Sequence, residues 1–558
     1  MSGSISPLRR LRALLALERN DLLVAIVYSA AIGLLSLALP VATQSVVNTI
    51  ALGNLVQPLF VLTILVFLGL ALSTVLQGLR IWVVELLQRR VFVRVSSDAI
   101  QRLLRARSDA FEDHHGPELV NRFFDVVTLQ KSGAALLLDG LSVAMQTIIG
   151  MVLLALYHPW LLAFDALLLV AILLIIYPLG AGAVASSIEE SKAKYAMAGW
   201  LQEIARHNTT FKSPAAAQMA MDRASALAGD YLRHRSSHFR ILMRQILGSL
   251  GITAIASAAL LGAGGWLVMQ RELTLGQLVA AELVVGMILS GFSKLGKHLE
   301  LYYDLAAAID KLGYLQDIPL EPSGAKSLAP LSRPAALRLR NVWFAFAGQP
   351  ALFEGISWDV ASAERVGLTG GIGRGKSTLL NLIYGLREAH LGSVQLDEAD
   401  RREIARDDWR QSLALVRDVE IFEGTVERNV GLGRPGVDAA AIREALARVG
   451  LLEDILALPL GLDTQLLTGG LPLSHGQSVR LMLARAIVAE PRLLLIDGTL
   501  DIIGLAPDFN VVVDMLFAPG TPWTVVVAST NPEVLSRCSR VYQIEGGQLI
   551  HNSVVSKA

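Results

Sequence analysis

Residues 370–378, GGIGRGKST, have the spacing G-x-x-x-x-G-K-[ST] and lie between a strand-like run, RVGLT, and a helix-like run, LLNLIYGL. Glycines at 370, 373 and 375 let backbone N–H groups close around phosphates. Lys376 can neutralise the charge of the β- and γ-phosphates, and the hydroxyl of Ser377 can bind Mg²⁺. Because the motif requires a strand–loop–helix setting, which this segment has, it predicts a nucleotide-phosphate site.

A second chemical element lies at residues 493–501, LLLIDGTLD. Four apolar residues end at Asp497, as a buried strand that delivers a carboxylate to a phosphate site would. The next residue is Gly498, which offers no acid or base to activate water. If this is a nucleotide site, the residue that acts as its general base has to be found elsewhere.

LSHGQ, residues 473–477, precedes the helix-like run SVRLMLARAIVAE. By itself it could be an ordinary helix start, with Ser474 as the cap and Gln477 three residues later. Since it lies between a phosphate loop and the LLLID strand, we interpret it as a second nucleotide contact.

The elements that position these residues fall into two parts. Mean hydropathy of +0.50 with 18% charged residues indicates a membrane protein. Six stretches have the length and apolarity to cross a bilayer: roughly 22–44, 56–79, 134–156, 159–181, 247–269 and 276–296. We predict a transmembrane domain of long helices over 1–310, a linker over 311–336 and a soluble α/β domain over 337–558.

Charge and cysteine content exclude other classes. The formal net charge is zero, which gives no sign of nucleic-acid binding, and the single cysteine, Cys538, rules out an intramolecular disulfide framework or a zinc cluster. Basic residues concentrate in the long connections 80–133 and 182–246, which places both termini and these loops in the cytoplasm by the positive-inside rule.

Three ionisable residues lie within the apolar stretches: Asp165, Glu282 and Lys294. Asp165 and Glu282 are within about two helical turns of the predicted outer ends, so we expect them to reach water. Only Glu282 is kept as a candidate for a residue that lines a transport cavity.

Together GGIGRGKST, LSHGQ and LLLID resemble the cassette of ATP-binding cassette (ABC) transporters, and six helices ahead of it resemble an exporter half-transporter. GPELVNRFFDVVTLQKS, residues 116–132, is similar to the first cytoplasmic loop of haemolysin-type secretion exporters and peptidase-containing exporters, without an N-terminal peptidase domain. The resemblance implies an α-helical transmembrane domain followed by an α/β P-loop domain, in the bacterial inner membrane, with a cytoplasmic cassette.

In such families two cassettes sandwich two ATP molecules, each held by the P-loop of one subunit and the signature of the other. The resemblance therefore implies ATP and Mg²⁺ as cofactors, with Ser377 and Asp497 at the metal. It also implies that loops near 114–131 and 207–217 pass motion to the membrane helices. The nucleotide contacts carried over are Phe346, which matches the adenine-stacking aromatic, with Gly370, Gly373, Gly375, Lys376, Ser377, Thr378, Asp497, Ser474, Gly476 and Gln477.

This chain departs from the family pattern at the residues that support hydrolysis. Gly498 replaces the glutamate that activates water, Thr530 replaces the switch histidine, and Arg417 replaces the glutamine that senses Mg²⁺. The aspartate of the following loop falls at Gly504, although the nearby Asp501 leaves that register open. Binding and hydrolysis are therefore predicted to be separated in this cassette.

We expect an ATP-dependent exporter subunit that binds Mg-ATP in a degenerate cassette and gives an intact LSHGQ to a partner. A heterodimer with a second half-transporter is favoured, and a periplasmic adaptor and membrane lipid are further expected partners. The alternative is a homodimer that hydrolyses slowly or not at all and uses ATP as a structural or regulatory ligand. The sequence does not identify the cargo.

Overall fold

The computed structural model describes residues 7–52, 56–111, 120–328, 333–504 and 509–552. The chain forms two compact units. One consists of residues 1–106 and 110–319, and the other of residues 107–109 and 320–558. Part of the predicted loop 114–131 lies outside the described residues.

The first unit is helical. Its described helices are α1 (Pro7–Leu17), α2 (Arg19–Ser36), α3 (Ala38–Leu52), α4 (Val56–Arg105), α5 (Asp125–Ala135), α6 (Leu141–Tyr157), α7 (Pro159–Ile176), α8 (Ala183–Arg206), α9 (Pro214–Met269), α10 (Leu275–Ser293) and α11 (Leu295–Gln316). A π-helical turn, Leu136–Gly140, joins α5 to α6.

Six apolar helical segments of the described residues are long enough to cross a membrane, and the helical transmembrane fold predicted from the sequence is confirmed. Their bounds are 19–48, 59–105, 122–157, 159–176, 214–269 and 275–293. With 50 residues in α4 and 56 in α9, these two helices are roughly 75 and 84 Å long at about 1.5 Å per residue.

The fourth apolar stretch is shorter than predicted, because α7 ends at Ile176 and not near 181. Pro178 cannot continue the helix, and Gly180 leaves no room for a side chain, since an added Cβ would lie 2.3 Å from the carbonyl oxygen of Ile176. Gln245 Nε2 donates to the carbonyl of Ile175 at 3.1 Å and so satisfies one of the acceptors at this helix end.

The second unit contains two main sheets. Its strands are β1 (Leu337–Ala345), β2 (Ala351–Val360), β3 (Arg365–Thr369), β4 (Leu391–Leu396), β5 (Ala399–Asp400), β6 (Leu413–Val416), β7 (Gly424–Thr425), β8 (Gln465–Leu466), β9 (Leu493–Asp497), β10 (Thr524–Ala528), β11 (Arg540–Glu545) and β12 (Gln548–His551). An antiparallel sheet has the order β2-β1-β4-β5, and a six-stranded sheet has the order β12-β11-β3-β10-β9-β6.

Helices flank the six-stranded sheet, in which all neighbouring strands except β11 and β12 pair in parallel. Strand β10 is buried throughout and β9 is buried up to Asp497, as expected for parallel strands covered on both faces. The helices of this unit are α12 (Lys376–Tyr384), α13 (Arg406–Ser412), α14 (Val426–Gly431), α15 (Ala439–Arg448), α16 (Leu452–Leu456), α17 (His475–Ile487), α18 (Thr499–Ile502), α19 (Phe509–Phe517) and α20 (Pro532–Ser536).

Candidate nucleotide-binding site

Four parallel strands of the second unit end at the same edge of its six-stranded sheet. The carboxyl ends of β3, β9, β10 and β6 lead to Gly370, Asp497, Thr530 and Arg417, respectively. Ligands bind in α/β proteins at this edge. Residues that are far apart in the sequence therefore meet in one candidate site.

The P-loop connects β3 to α12 through three glycines with positive φ: Gly370 (137°), Gly373 (76°) and Gly375 (97°). At Gly375 an added Cβ would also lie 2.9 Å from the ring of Phe353. Residues that carry a side chain rarely adopt these backbone angles. The sequence therefore needs glycine to turn the chain here.

Lys376 folds back over this loop. Its Nζ donates to the carbonyl of Gly370 at 2.7 Å and to that of Gly371 at 3.1 Å. Carbonyl oxygens are neutral acceptors, whereas phosphate oxygens carry full charge and bind an ammonium group more strongly. Lys376 is therefore placed to exchange its carbonyl acceptors for the phosphates of a bound nucleotide.

Ser377 and Asp497 are the candidate metal ligands, and the structure brings them together through a side-chain hydrogen bond. Burial raises the pKa of Asp497, while the hydrogen bond from Ser377 and the charges of Arg417 and Lys376 oppose that rise. A hydroxyl and a carboxylate are oxygen ligands of the kind that Mg²⁺ prefers, and a bound cation would stabilise the ionised carboxylate. Ser377 and Asp497 therefore fit Mg²⁺. Thr378, the residue after Ser377 on α12, is half-buried.

The LSHGQ segment starts α17. The Ser474 side chain accepts from the N–H of Gln477 at 3.3 Å, and Gln477 Oε1 accepts from the N–H of Ser474 at 2.9 Å, which is a complete capping box. Gly476 lies in the first turn, and a side chain there would meet nothing within 4 Å. The simple capping role considered from the sequence is thus present, and it leaves the face at Gly476 open for a ligand.

Gly498 follows Asp497 and has a φ of 68°. Its N–H donates to the carbonyl of Ala528 at 2.9 Å, and the residue begins the short helix α18. This left-handed conformation suits glycine and costs an L-residue roughly 1–2 kcal/mol. The backbone at this position, as well as the missing side chain, thus differs from what a glutamate would adopt without strain.

Thr530 is held by Asp501, a residue that the sequence analysis did not assign to the site. Asp501 Oδ2 accepts from the N–H and from the Oγ1 of Thr530, both at 2.8 Å, and its Oδ1 accepts from Ser529. Gly504 lies three residues further, where an added Cβ would be 3.0 Å from Asn531 Nδ2. In the sequence, the only signal for Asp501 was that it lies close to Gly504, where the family has an aspartate.

Arg417 is engaged within its own unit. Its Nη1 donates to Asn381 Oδ1 at 3.3 Å, and its Nη2 lies 3.5 Å from Glu420 Oε1. The hydroxyl of Thr499, two residues after Asp497, donates to the carbonyl of Arg417 at 3.0 Å. The loop after β6 is thus tied directly to the segment that carries Asp497 and Gly498.

Phe346, the candidate adenine contact, is partly buried against the core of its unit. The guanidinium carbon of Arg387 lies 4.7 Å from the centre of its ring, within range of a cation–π contact. Phe344 contacts the same ring edge-on at 5.2 Å. Sequence reasoning missed Arg387, and its spacing from the P-loop carried no recognisable signal.

Polar residues of the membrane segments correct one expectation. Asp165 is only 5% exposed and neither carboxylate oxygen has a hydrogen-bond partner among the described residues, so the prediction that it reaches water is wrong. It faces the apolar packing between α7 and its neighbours, whereas Glu282 and Lys294 are exposed. Arg80, which is buried and bonded to Ser29 at 3.1 Å, was missed because it follows the predicted stretch by one residue.

Two family profiles match this chain. The profile described as "ABC transporter transmembrane region" matches residues 22–198, and the profile described as "ABC transporter" matches residues 353–500. Together these ranges span more than half of the 558 residues. The chain belongs to the ABC transporters, with an N-terminal transmembrane region fused to one ATP-binding cassette, and it is an integral membrane protein.

Individual relatives are distant. The chain is 28% identical over 317 residues to a multidrug efflux ATP-binding/permease protein of Mycobacterium tuberculosis, a match that covers 56% of this chain and 26% of that protein. It is 27% identical over 453 residues to the mycobactin import ATP-binding/permease protein IrtB of Mycolicibacterium thermoresistibile, covering 79% and 74%. A leukotoxin export ATP-binding protein of Aggregatibacter actinomycetemcomitans is 26% identical over 318 residues, covering 56% and 45%.

The chain thus spans between about a quarter and a half of the length of most of the relatives that it matches. A solved structure of a bacterial Atm1-family ABC exporter with ATP bound has the same fold, with a TM-score of 0.83 at 20% identity over 96% of this chain and 95% of that one. At this identity the likeness establishes the fold.

Proposed function

We propose that this chain is one subunit of a dimeric, ATP-dependent membrane exporter whose own cassette binds Mg-ATP without preparing a water for attack. The observation that carries the proposal is the arrangement of Asp497, Ser377 and Gly498 at the carboxyl end of β9. Asp497 and Ser377 keep their oxygen ligands in contact, while Gly498 has no side chain and a backbone angle of 68°. Binding and hydrolysis therefore depend on different residues, and only the first set is present.

Nucleotide binding uses the groups that the sheet edge assembles. Lys376 and the backbone N–H groups of residues 371–377 hold the phosphates, and Phe346 offers a ring face for adenine. Ser377 and Asp497 would hold Mg²⁺, which would supply positive charge beside the phosphates. The hydroxyl proton of Thr530 is donated to Asp501, so it is not available to a phosphate oxygen or to a water.

The signature segment serves a different nucleotide in this proposal. The N-terminus of a 13-residue helix attracts anions through its free N–H groups and its dipole. Ser474 and Gly476 would present this end to the ATP bound by a partner subunit. A partner with its own glutamate and histidine would then complete the one hydrolytic site, which favours a heterodimer.

The direction of transport and the cargo are part of the proposal. The names of the relatives include efflux, export and import, so they do not share one direction. We favour export in the bacterial inner membrane, with the cassette in the cytoplasm and a peptide or protein cargo. A periplasmic adaptor would be a further partner.

The test is co-purification of the full chain from its native membrane, followed by steady-state ATPase measurements on the complex. A second, different half-transporter and an ATPase rate that survives Gly498→Ala would support the proposal. A homodimer with no ATPase activity, and no ATP-dependent movement of cargo in reconstituted vesicles, would instead support the second candidate, a homodimer that uses ATP as a structural or regulatory ligand. The missing glutamate and histidine are what keep that candidate open.

A further inference from the structure

A cavity of about 270 Å³ lies in the first unit, near the start of its membrane helices. Its wall is formed by α1 and the start of α2, the middle of α4, the end of α5 with the π-helical turn, and α11. Its α4 side runs from Val84 to Val91.

The wall of this cavity is almost entirely hydrocarbon. The carboxylate of Glu18 is 8% exposed and pairs with Arg94 Nη1 at 2.6 Å. Gln130 Nε2 donates to the backbone carbonyl of Gln88 at 2.7 Å, from one wall to another. Since these two polar side chains already have partners and most other lining residues are aliphatic, the cavity favours an apolar occupant over water.

Helix α1 forms one side of the cavity through a single face. Leu11, Leu14 and Leu15 line it, and Glu18 continues the same face one turn later. Leu15 is 41% exposed, so the cavity opens at the surface of this chain along α1. A helix of this kind, apolar on one face and rich in arginine, is typical of a segment that lies in the membrane interface.

The position of the cavity along the membrane normal can be derived from the apolar stretches. Leu22 begins the first apolar stretch, and the cavity residues of α4 lie five to twelve residues beyond the apolar stretch that ends near 79. At about 1.5 Å per residue this places them roughly 7–18 Å past that end. The cavity therefore extends from the edge of the hydrocarbon, at Leu22, through the headgroup layer of about 5–7 Å and toward the water, on the same side as the N-terminus.

The charges around the cavity are predominantly positive. Residues 7–22 and 84–94 contain seven arginines and three carboxylates. The three arginines of residues 84–94 are each paired with a carboxylate, Arg90 with Asp21, whereas Arg12, one residue from Leu11, is exposed. Clusters of arginine at the membrane boundary attract anionic lipid headgroups.

We propose that this cavity binds one acyl chain of an anionic membrane phospholipid, whose phosphate lies outside it near Arg12. That the lipid belongs to the cytoplasmic leaflet rests on the orientation given under the proposed function, whereas the binding of the lipid does not. The acyl chain lies in the cavity, and the phosphate meets the positive charge of α1. The lipid thus ties α1 to the membrane helices.

Gly133 gives a direct way to fill the cavity. It lines the wall from within α5, and a Cβ at this position would meet nothing within 4 Å. Gly133→Leu therefore puts a side chain into the space of the acyl chain without a clash at its first atom. Gly262→Leu is the matched control, because Gly262 lies within α9, away from the cavity, and also has no atom within 4 Å of an added Cβ.

The experiment uses the full chain purified in mild detergent, incubated with equal amounts of phosphatidylglycerol and phosphatidylcholine of the same acyl chains, and analysed by native mass spectrometry. We expect one tightly retained phosphatidylglycerol per chain in the unmodified protein and in Gly262→Leu. Gly133→Leu should lower that occupancy by at least about tenfold, the ratio that corresponds to about 1.4 kcal/mol. Arg12→Gln should reduce the preference for phosphatidylglycerol and leave acyl-chain binding in place.

Retention of the lipid by Gly133→Leu would overturn the proposal, and so would retention of a non-lipid molecule in its place. Equal binding of the two phospholipids would overturn the part played by the arginines. Thermal unfolding and a monodisperse elution profile, measured on the same samples, report whether each variant is folded and are separate from the lipid result. Ala134→Leu, in the same wall, gives a second filling variant if Gly133→Leu does not accumulate.

Discussion

Restoring the missing acid by Gly498→Glu is expected to give less than a tenfold gain in the ATPase rate of the complex. A positioned general base contributes about 10²–10⁴-fold to a rate only when its water and its charge partners are also in place. Here Thr530 bonds to Asp501 at 2.8 Å, and the Arg417 guanidinium donates to Asn381 Oδ1 at 3.3 Å. A lone carboxylate therefore has no second group to hold the water.

The same substitution has a cost that can be derived from the backbone. With φ of 68° at residue 498, any L-residue there is strained by roughly 1–2 kcal/mol. For a domain of this size, each kcal/mol lowers the midpoint of thermal unfolding by about 2–4 °C. Because Gly498 has open space around an added Cβ, the strain should be nearly the same for glutamate and for alanine.

The assay compares the unmodified complex with Gly498→Ala, Gly498→Glu and the triple variant Gly498→Glu/Thr530→His/Arg417→Gln. The two single variants should unfold at similarly lowered temperatures, and neither should raise the steady-state ATPase rate more than tenfold. The triple variant should exceed the glutamate variant. A large gain from Gly498→Glu alone, or unchanged thermal stability in Gly498→Ala, would refute the reasoning.

Four further outcomes test other parts of the molecule. Lys376→Ala should lower the affinity for Mg-ATP, measured by calorimetry, at least about tenfold because it removes the phosphate charge partner; unchanged affinity would contradict the site. Gly476→Arg, which leaves the capping box intact, should stop turnover of the complex while Gly476→Ala does not, and full activity would remove the signature from the hydrolytic site. Asp165→Leu should raise the free energy of unfolding by about 1–3 kcal/mol by removing a buried carboxylate that has no hydrogen-bond partner in the described part of the chain, whereas a fall would reveal a partner in the assembled transporter. A cysteine placed at exposed Asn208 should be labelled only from the cytoplasm, and labelling of intact cells from outside would reverse the topology. Background labelling should be low, because burial raises the pKa of Cys538 to about 12 and keeps that thiol unreactive.

Local sequence patterns predicted most of the fold. The apolar stretches predicted six membrane helices because a bilayer sets their length, and the P-loop predicted its own strand, turn and helix because few sequences satisfy that geometry. Helical apolar periodicity within the long connections, as at Val91 and Val95, also predicted helices that continue past the apolar stretches, as α4 and α9 do. These features depend on residues that are near one another in the chain.

What the sequence did not reveal depends on contacts between distant segments. The bonds from Asp501 to Thr530 join residues 29 positions apart. The burial of Asp165 depends on how neighbouring helices pack, which periodicity does not report, and its position near a helix end suggested exposure instead. The left-handed angle at Gly498 likewise follows from its bond to β10 and not from the residues beside it.

The strand order of the cassette sets when this chain can become functional during synthesis. Strand β3, which leads into the P-loop, lies between β10 and β11, and β11 begins at Arg540, about 170 residues later. At about 5–20 residues per second, roughly 10–35 s separate the emergence of the P-loop from that of its last neighbouring strand. All six membrane helices leave the ribosome before that moment, so the transmembrane unit is committed to the bilayer while the cassette is still an open sheet. Loss of the final twenty residues would keep the phosphate loop in that unfinished state.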